Sequence, residues 1–176
     1  RPEQVERTVS VNLDPEAVAK VRAGGGEAVL SRAEELDLEG LDVDLFMSFE
    51  MVEHLTDPVR FFHDLATRGS ADYLLITVPY RRDSRFGGDL IRLPDAAMPV
   101  RITAEQVHIF ELSPADWRLM ARFGGYEAVF SRIYRQYPMR SPMRIPQPLW
   151  RKSDLEGFLA VLFKRDTSLA DRYTGW

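Results

Sequence analysis

Along the chain, apolar and polar positions change period several times, and each change marks an element. Thr8 to Leu13 (TVSVNL) alternates as a half-buried strand does. Asp14 and Pro15 then supply an N-cap and a first-turn proline for a helix through about Ala23, which Gly24 to Gly26 end. Ala28 to Leu30 predicts a brief second strand, and Asp44 to Phe49 (DLFMSF) a third, whose more continuous apolar run suits a buried parallel strand. Thr56 or Asp57 caps the next helix with Pro58 in its first turn, and Val59, Phe61, Phe62 and Leu65 supply its apolar positions. Tyr73 to Val78 is the clearest strand of all. Ser113 and Pro114 start a helix through Phe123, and Tyr126 to Tyr134 reads as a strand. From Tyr137 to Pro148 the proline spacing forbids regular structure, and a last helix or strand is expected near Leu155 to Phe163.

Strands alternating with helices imply crossover connections and an α/β fold, a mostly parallel sheet with helices on both faces. A polar loop containing glycine and arginine runs from Pro79 to about Arg101, long enough for a substrate lid or binding loop. With 176 residues, 45% of them apolar, the chain can bury one core. The expectation is a single domain over residues 1–176, with a core to about residue 134 and a C-terminal extension over about 135–176.

Composition narrows the chemistry. There is no cysteine, which excludes a disulfide framework, a thiolate metal site and a cysteine nucleophile and fits a cytoplasmic setting. No apolar run reaches the roughly 20 residues needed to span a bilayer, so no membrane partner is expected. The net charge of −4 argues against a generic polyanion binder. It hides an asymmetry, however: Trp117 to Lys152 holds Arg118, Arg122, Arg132, Arg135, Arg140, Arg144, Arg151 and Lys152 against Glu127 alone, with Tyr126, Tyr134, Tyr137 and Trp150 interleaved. Such a stretch is either a solvated surface or a grip for a phosphate, a carboxylated substrate or single-stranded RNA.

Taken together, VSVNLDPEAVAKVRAGGGEAVLSRAEEL, DLFMSFEMVEHLTDP, YLLITVPY and HIFELSPADWRLMARFGGYEAV resemble the class I, Rossmann-like S-adenosylmethionine-dependent methyltransferases in order and spacing. The resemblance covers roughly Val9 to Tyr134, and EMVEHL followed at helix length by a strand ending in Val78-Pro79 is its most specific part. It implies S-adenosylmethionine as cofactor, with the ribose near Asn12 and Leu13, the adenine near Arg32 and Ala33, and the methionine end toward Phe49. Two positions depart from the family. Asn12 stands where an acid normally accepts from the ribose hydroxyls, and Arg32 where an aspartate is common. An amide oxygen accepts such a bond without the charge that strengthens it, so weaker cofactor binding follows.

The family's first strand and its glycine-rich cofactor turn have no counterpart before Thr8. Gly24 to Gly26 follow a helix rather than a strand and read as that helix's C-terminal turn. The chain opens on Arg1. The expectation is that the turn was trimmed or that another segment replaces it, because the strand it follows sits mid-sheet and its loss would leave neighbouring strands without backbone partners.

Candidate chemistry concentrates after the third strand. Glu50, Glu53 and His54 stand at i, i+3 and i+4, so one helical turn would put them on a single face at the carboxyl edge of the sheet, with His108 closing the site from a later loop. Two carboxylates and imidazole suit a divalent ion. Glu-x-x-Glu-His resembles the metal motif of the ubiquinone-pathway O-methyltransferases and the small-RNA terminal ribose 2′-O-methyltransferases, and His108-Ile109-Phe110-Glu111 with Trp117 resembles a later segment of the latter. Two readings stay open: Glu50, Glu53, His54 and His108 bind a metal that activates an acceptor hydroxyl, or Glu53 and His54 organise the following helix while His108 or His54 serves as general base. His63, within a helix among phenylalanines, reads as structural. The function expected is methyl transfer to an oxygen, less readily a nitrogen, of a small molecule or sugar. An RNA end is the alternative acceptor, and a methyltransferase-like domain that binds a partner without catalysis is the alternative class.

Overall fold

The computed structural model describes residues 4–88, 90–134 and 157–173. Packing divides the chain into two compact units, Arg1–Leu38 and Glu39–Trp176.

The smaller unit is a β-α-β element. Strand β1 (Val9–Asn12) leads into helix α1 (Pro15–Ala23), and strand β2 (Glu27–Leu30) returns parallel to β1, with Val9 opposite Glu27 and Asn12 opposite Leu30. The expected cap is in place, since the Asp14 carboxylate accepts from the Glu16 N–H at 2.9 Å. At the other end Gly25 N–H reaches the Arg22 carbonyl and Gly26 N–H the Val21 carbonyl, each at 3.0 Å. This is a Schellman turn whose left-handed residue, Gly25, has φ 83°. The glycine triplet therefore closes a helix.

The larger unit is built on a four-stranded sheet in the order β3-β4-β8-β7, namely Leu45–Phe49, Tyr73–Pro79, Phe158–Arg165 and Tyr126–Tyr134. The sheet is mixed. β3 and β4 are parallel and joined by helix α2 (Pro58–Arg68), whereas β8 enters antiparallel between β4 and β7. Of the two caps considered for α2, Asp57 holds the place, accepting from the Arg60 N–H at 3.0 Å. Helix α3 (Pro114–Phe123) precedes β7, and the short strands β5 (Arg85–Phe86) and β6 (Phe110–Glu111) pair antiparallel. The last segment is thus a strand, and the run from Tyr137 to Pro148 lies outside the described residues.

The core occupies one face of this sheet. Leu74, Ile76 and Val78 of β4 and Leu159, Val161 and Phe163 of β8 are buried, with Phe62 of α2 meeting Phe163 and Tyr126 ring to ring at 6.1 and 6.4 Å. α3 packs against α2 and β7 and buries Trp117 fully. The opposite face carries Leu45, Met47, Phe49, Tyr73 and Phe130, all exposed. Among the described residues of this unit, α2 and α3 pack on the core face. Among the described residues, no helix is long and apolar enough to cross a membrane.

Candidate functional site

The carboxyl end of β3 begins the site. Glu50 follows the strand with φ 49°, a left-handed conformation costly for a side chain with a Cβ and typically retained at functional sites. Its N–H donates to the Thr77 carbonyl at 2.9 Å, so the kink is tied to the end of β4. The chain then makes a single 3-10 turn, Val52–His54. Glu50 stands before this turn, and its charge still reaches Glu53, His54 and His108.

Glu53 is 1% exposed, and among the described residues neither carboxylate oxygen has a hydrogen-bond partner. Burial, reinforced by the neighbouring charges of Glu50 and Glu111, pushes its carboxyl up to about 8. Burial also raises Glu50, against the opposing effects of the Thr77 hydroxyl and of His108 and His54. The Glu53 backbone is anchored, since its carbonyl accepts from the Ile109 N–H at 2.8 Å. That bond draws the segment containing His108 against the turn containing Glu53 and His54.

The two histidines meet edge to face with ring centroids 4.9 Å apart. His54 Nδ1 lies 2.7 Å from the Val107 carbonyl oxygen. A carbonyl only accepts, so Nδ1 carries a proton, and in the neutral ring Nε2 is the atom with the lone pair. That Nε2 is 3.8 Å from Glu53 Oε1. Glu53, His54 and His108 each offer a ligand atom, and these atoms lie within 4.8 Å of one another. Of the four residues expected to share a metal site, the structure thus brings three together and leaves Glu50 outside that group. His63 lies in α2, 3.9 Å from the Asp64 carboxylate.

Glu111, which closes the His108-Ile109-Phe110-Glu111 segment, has no role assigned from the sequence. It is buried on β6 and accepts from Arg85 Nε at 2.5 Å and from His108 Nδ1 at 3.0 Å, with Arg81 Nη2 forming an ion pair at 2.8 Å. Burial works against its ionisation, but the bonds from Arg85 and His108 and the charge of Arg81 prevail and hold its carboxyl below the ordinary value. His108 and Glu111 stand at i, i+3, and Arg81 and Arg85 lie in the loop expected to be a lid. That spacing was the available signal.

In the smaller unit, Asn12 and the segment Ser31 to Ala33 come to the same end of the two parallel strands, where Ser31 N–H donates to the Asn12 carbonyl at 3.1 Å. The Asn12 amide oxygen accepts from the Asp14 N–H at 2.8 Å. Leu13 is exposed, Arg32 lies 3.5 and 3.6 Å from Glu34 and Glu35, and Ala33 opens a 3-10 turn. Phe49 ends β3 in the larger unit and is 54% exposed. Of the basic stretch, Arg118 donates to the Ser131 hydroxyl at 2.6 Å and Arg122 lies 3.6 Å from Glu127. Arg135, Arg140, Arg144, Arg151, Lys152, Tyr137 and Trp150 lie outside the described residues.

Against known proteins, the methyltransferase-domain family model matches residues 2–68. No curated protein matches the chain. Among solved structures, the chain is similar to the Burkholderia thailandensis 1,6-didemethyltoxoflavin-N1-methyltransferase, which holds 1,6-didemethyltoxoflavin and S-adenosylhomocysteine. The TM-score is 0.63 at 16% identity, covering 94% of this chain and 64% of that one. It is also similar to the methyltransferase complexed with the Trm112 activator of Haloferax volcanii (TM-score 0.62, 14% identity, 92% and 72% covered). A third is the [4+2]-cyclase SpnF (TM-score 0.61, 11% identity, 91% and 67% covered). The chain spans 64% of the length of the first of these. It has the Rossmann-like fold of the class I S-adenosylmethionine-dependent methyltransferases.

Proposed function

We propose that the protein transfers the methyl group of S-adenosylmethionine to an oxygen of a small molecule or sugar, at the Glu53, His54 and His108 cluster. The observation that carries this reading is the buried, unpartnered Glu53 carboxylate facing the lone pair of His54 Nε2 at 3.8 Å. Buried polar groups without partners are costly, and a fold retains them where a ligand satisfies them. A hydroxyl must lose its proton as it attacks a methyl group, and His54 or His108 can take that proton when the acceptor lies within hydrogen-bond reach. The first structural relative is a 1,6-didemethyltoxoflavin N1-methyltransferase, which supports a small-molecule acceptor and leaves the choice of oxygen to the cluster.

Asn12 and Leu13 would hold the cofactor's ribose, Arg32 and Ala33 its adenine, and Phe49 would lie toward its methionine end. The fit is partial. The carboxyl ends of parallel strands are where ligands bind in open α/β sheets, and the Asn12 oxygen keeps a second lone pair beside the one given to Asp14. When bound, the cofactor supplies an electrophilic methyl group on a sulfonium. A divalent ion fits the other cluster better: Glu53, His54 and His108 would hold it, and it would lower the pKa of an acceptor hydroxyl. A terminal ribose of RNA is the second acceptor supported, because the segment that resembles small-RNA ribose methyltransferases carries His108 into this cluster.

Calorimetric titration of the full-length protein with S-adenosylhomocysteine tests the reading. Saturable binding is expected. Absence of both heat and a thermal shift at millimolar ligand would overturn it in favour of a partner-binding domain.

A further inference from the structure

The two imidazoles of the cluster are held in the same way by different means. His54 gives its Nδ1 proton to a backbone carbonyl, and His108 turns its Nδ1 to Glu111 Oε1 at 3.0 Å. Arg85 donates to the other oxygen of Glu111 at 2.5 Å, and Arg81 pairs with that same oxygen at 2.8 Å. A carboxylate between two guanidiniums is acceptor-only, so the proton on the His108–Glu111 bond belongs to Nδ1 and the available lone pair to Nε2. The arm carrying His108 is fixed at three backbone points: Ile109 N–H to the Glu53 carbonyl at 2.8 Å, and Gly87 and Gly88 N–H to the Ile109 and His108 carbonyls at 2.7 Å. Gly88 is close enough that an added Cβ would stand 3.2 Å from Glu111 Oε1 and 3.3 Å from His108 Cβ.

We propose that Glu111 is a positioning residue that, clamped by Arg81 and Arg85, keeps His108 in its Nδ1–H tautomer and presents Nε2 to Glu53 and His54. The result is a site of two imidazoles and one carboxylate for a borderline divalent ion such as zinc, manganese or ferrous iron. The inference rests on the metal reading given above and sharpens it. Magnesium and calcium seek oxygen ligands, and a donor set with two nitrogens favours the transition metals instead. An imidazole whose second nitrogen donates to a carboxylate or carbonyl is the usual support for a metal-bound histidine. Here both histidines have that support.

The test is histidine 15N–1H correlation spectroscopy on the full-length, metal-free protein, followed by calorimetric titration with zinc and with manganese, repeated on Glu111→Gln. The wild-type spectrum should show both His54 and His108 as Nδ1–H tautomers. In Glu111→Gln the side-chain oxygen is drawn to the arginines and the amide group faces His108. His108 should then move toward Nε2–H, and metal affinity should fall roughly 10- to 100-fold while far-ultraviolet circular dichroism is unchanged. A wild-type His108 in the Nε2–H form overturns the proposal directly, even if the variant fails to fold. So does a Glu111→Gln protein that keeps both tautomer and affinity. A wild-type protein with the expected tautomers that binds neither zinc nor manganese overturns the metal reading alone, so the two failures are distinguishable.

Discussion

The edge of the smaller unit at Asn12 and Arg32 and the cluster of the larger unit at Glu53, His54 and His108 were both marked out by position along the chain, and they differ in how their polar atoms are used. The Asn12 amide oxygen is engaged by the Asp14 N–H, and Arg32 lies beside Glu34 and Glu35 on an exposed surface. The cluster does the opposite. Both Glu53 oxygens are buried without hydrogen-bond partners among the described residues, while the nitrogens facing away from the cluster are engaged by Val107 and Glu111. A loop end whose groups satisfy one another needs no ligand to explain it. A buried set whose outer atoms are satisfied and whose inner atoms are not stores a cost that a ligand relieves.

Removing His54, whether it serves as base or as metal ligand, sharpens this contrast most. His54→Ala should lower methyl transfer by about 10²- to 10⁴-fold, the usual value of a positioned acid or base. Binding of S-adenosylhomocysteine, measured by calorimetry, should change less than twofold. Equal losses in both would erase the distinction between the two regions.

The next effect is on stability. With its carboxyl near 8 against an ordinary 4.5, Glu53 stays protonated in the folded protein while the unfolded chain has released the proton. Stability therefore falls as pH rises between these values, by an amount on the order of a few kcal/mol. Glu53→Gln should flatten the dependence of denaturation free energy on pH across that window. Saturating zinc or manganese, which needs the carboxylate, should oppose the wild-type decline.

How far the sequence reached differs in the same way between regions. The caps Asp14, Asp57 and Ser113, each followed by proline, marked the three helix starts because a cap is a local event. Glycines 24 to 26 were legible for the same reason. The antiparallel entry of β8 between β4 and β7 was not, since strand direction depends on partners far apart in sequence. In the cluster, the spacing of Glu53 and His54 and the presence of His108 were readable. The left-handed backbone of Glu50 was not, because glutamate rarely adopts a positive φ. Nor was Glu111 assigned a role, since its meaning comes from Arg81 and Arg85 across a strand pair.

The smallest effect belongs to the smaller unit. Asn12→Asp restores a charge at the end of β1, and if Asn12 meets the ribose it should tighten cofactor binding by about 1 kcal/mol in calorimetry. An unchanged affinity would remove Asn12 from the cofactor site without touching the cluster.

The most direct measurement is anomalous diffraction from crystals of the full-length protein soaked in manganese. The account predicts a single strong peak bounded by the Glu53 carboxylate and the Nε2 atoms of His54 and His108, about 2.0 to 2.2 Å from each. A peak held by Glu50 with Glu53 in place of the histidines, or no peak with His108 turned away from His54, would contradict it.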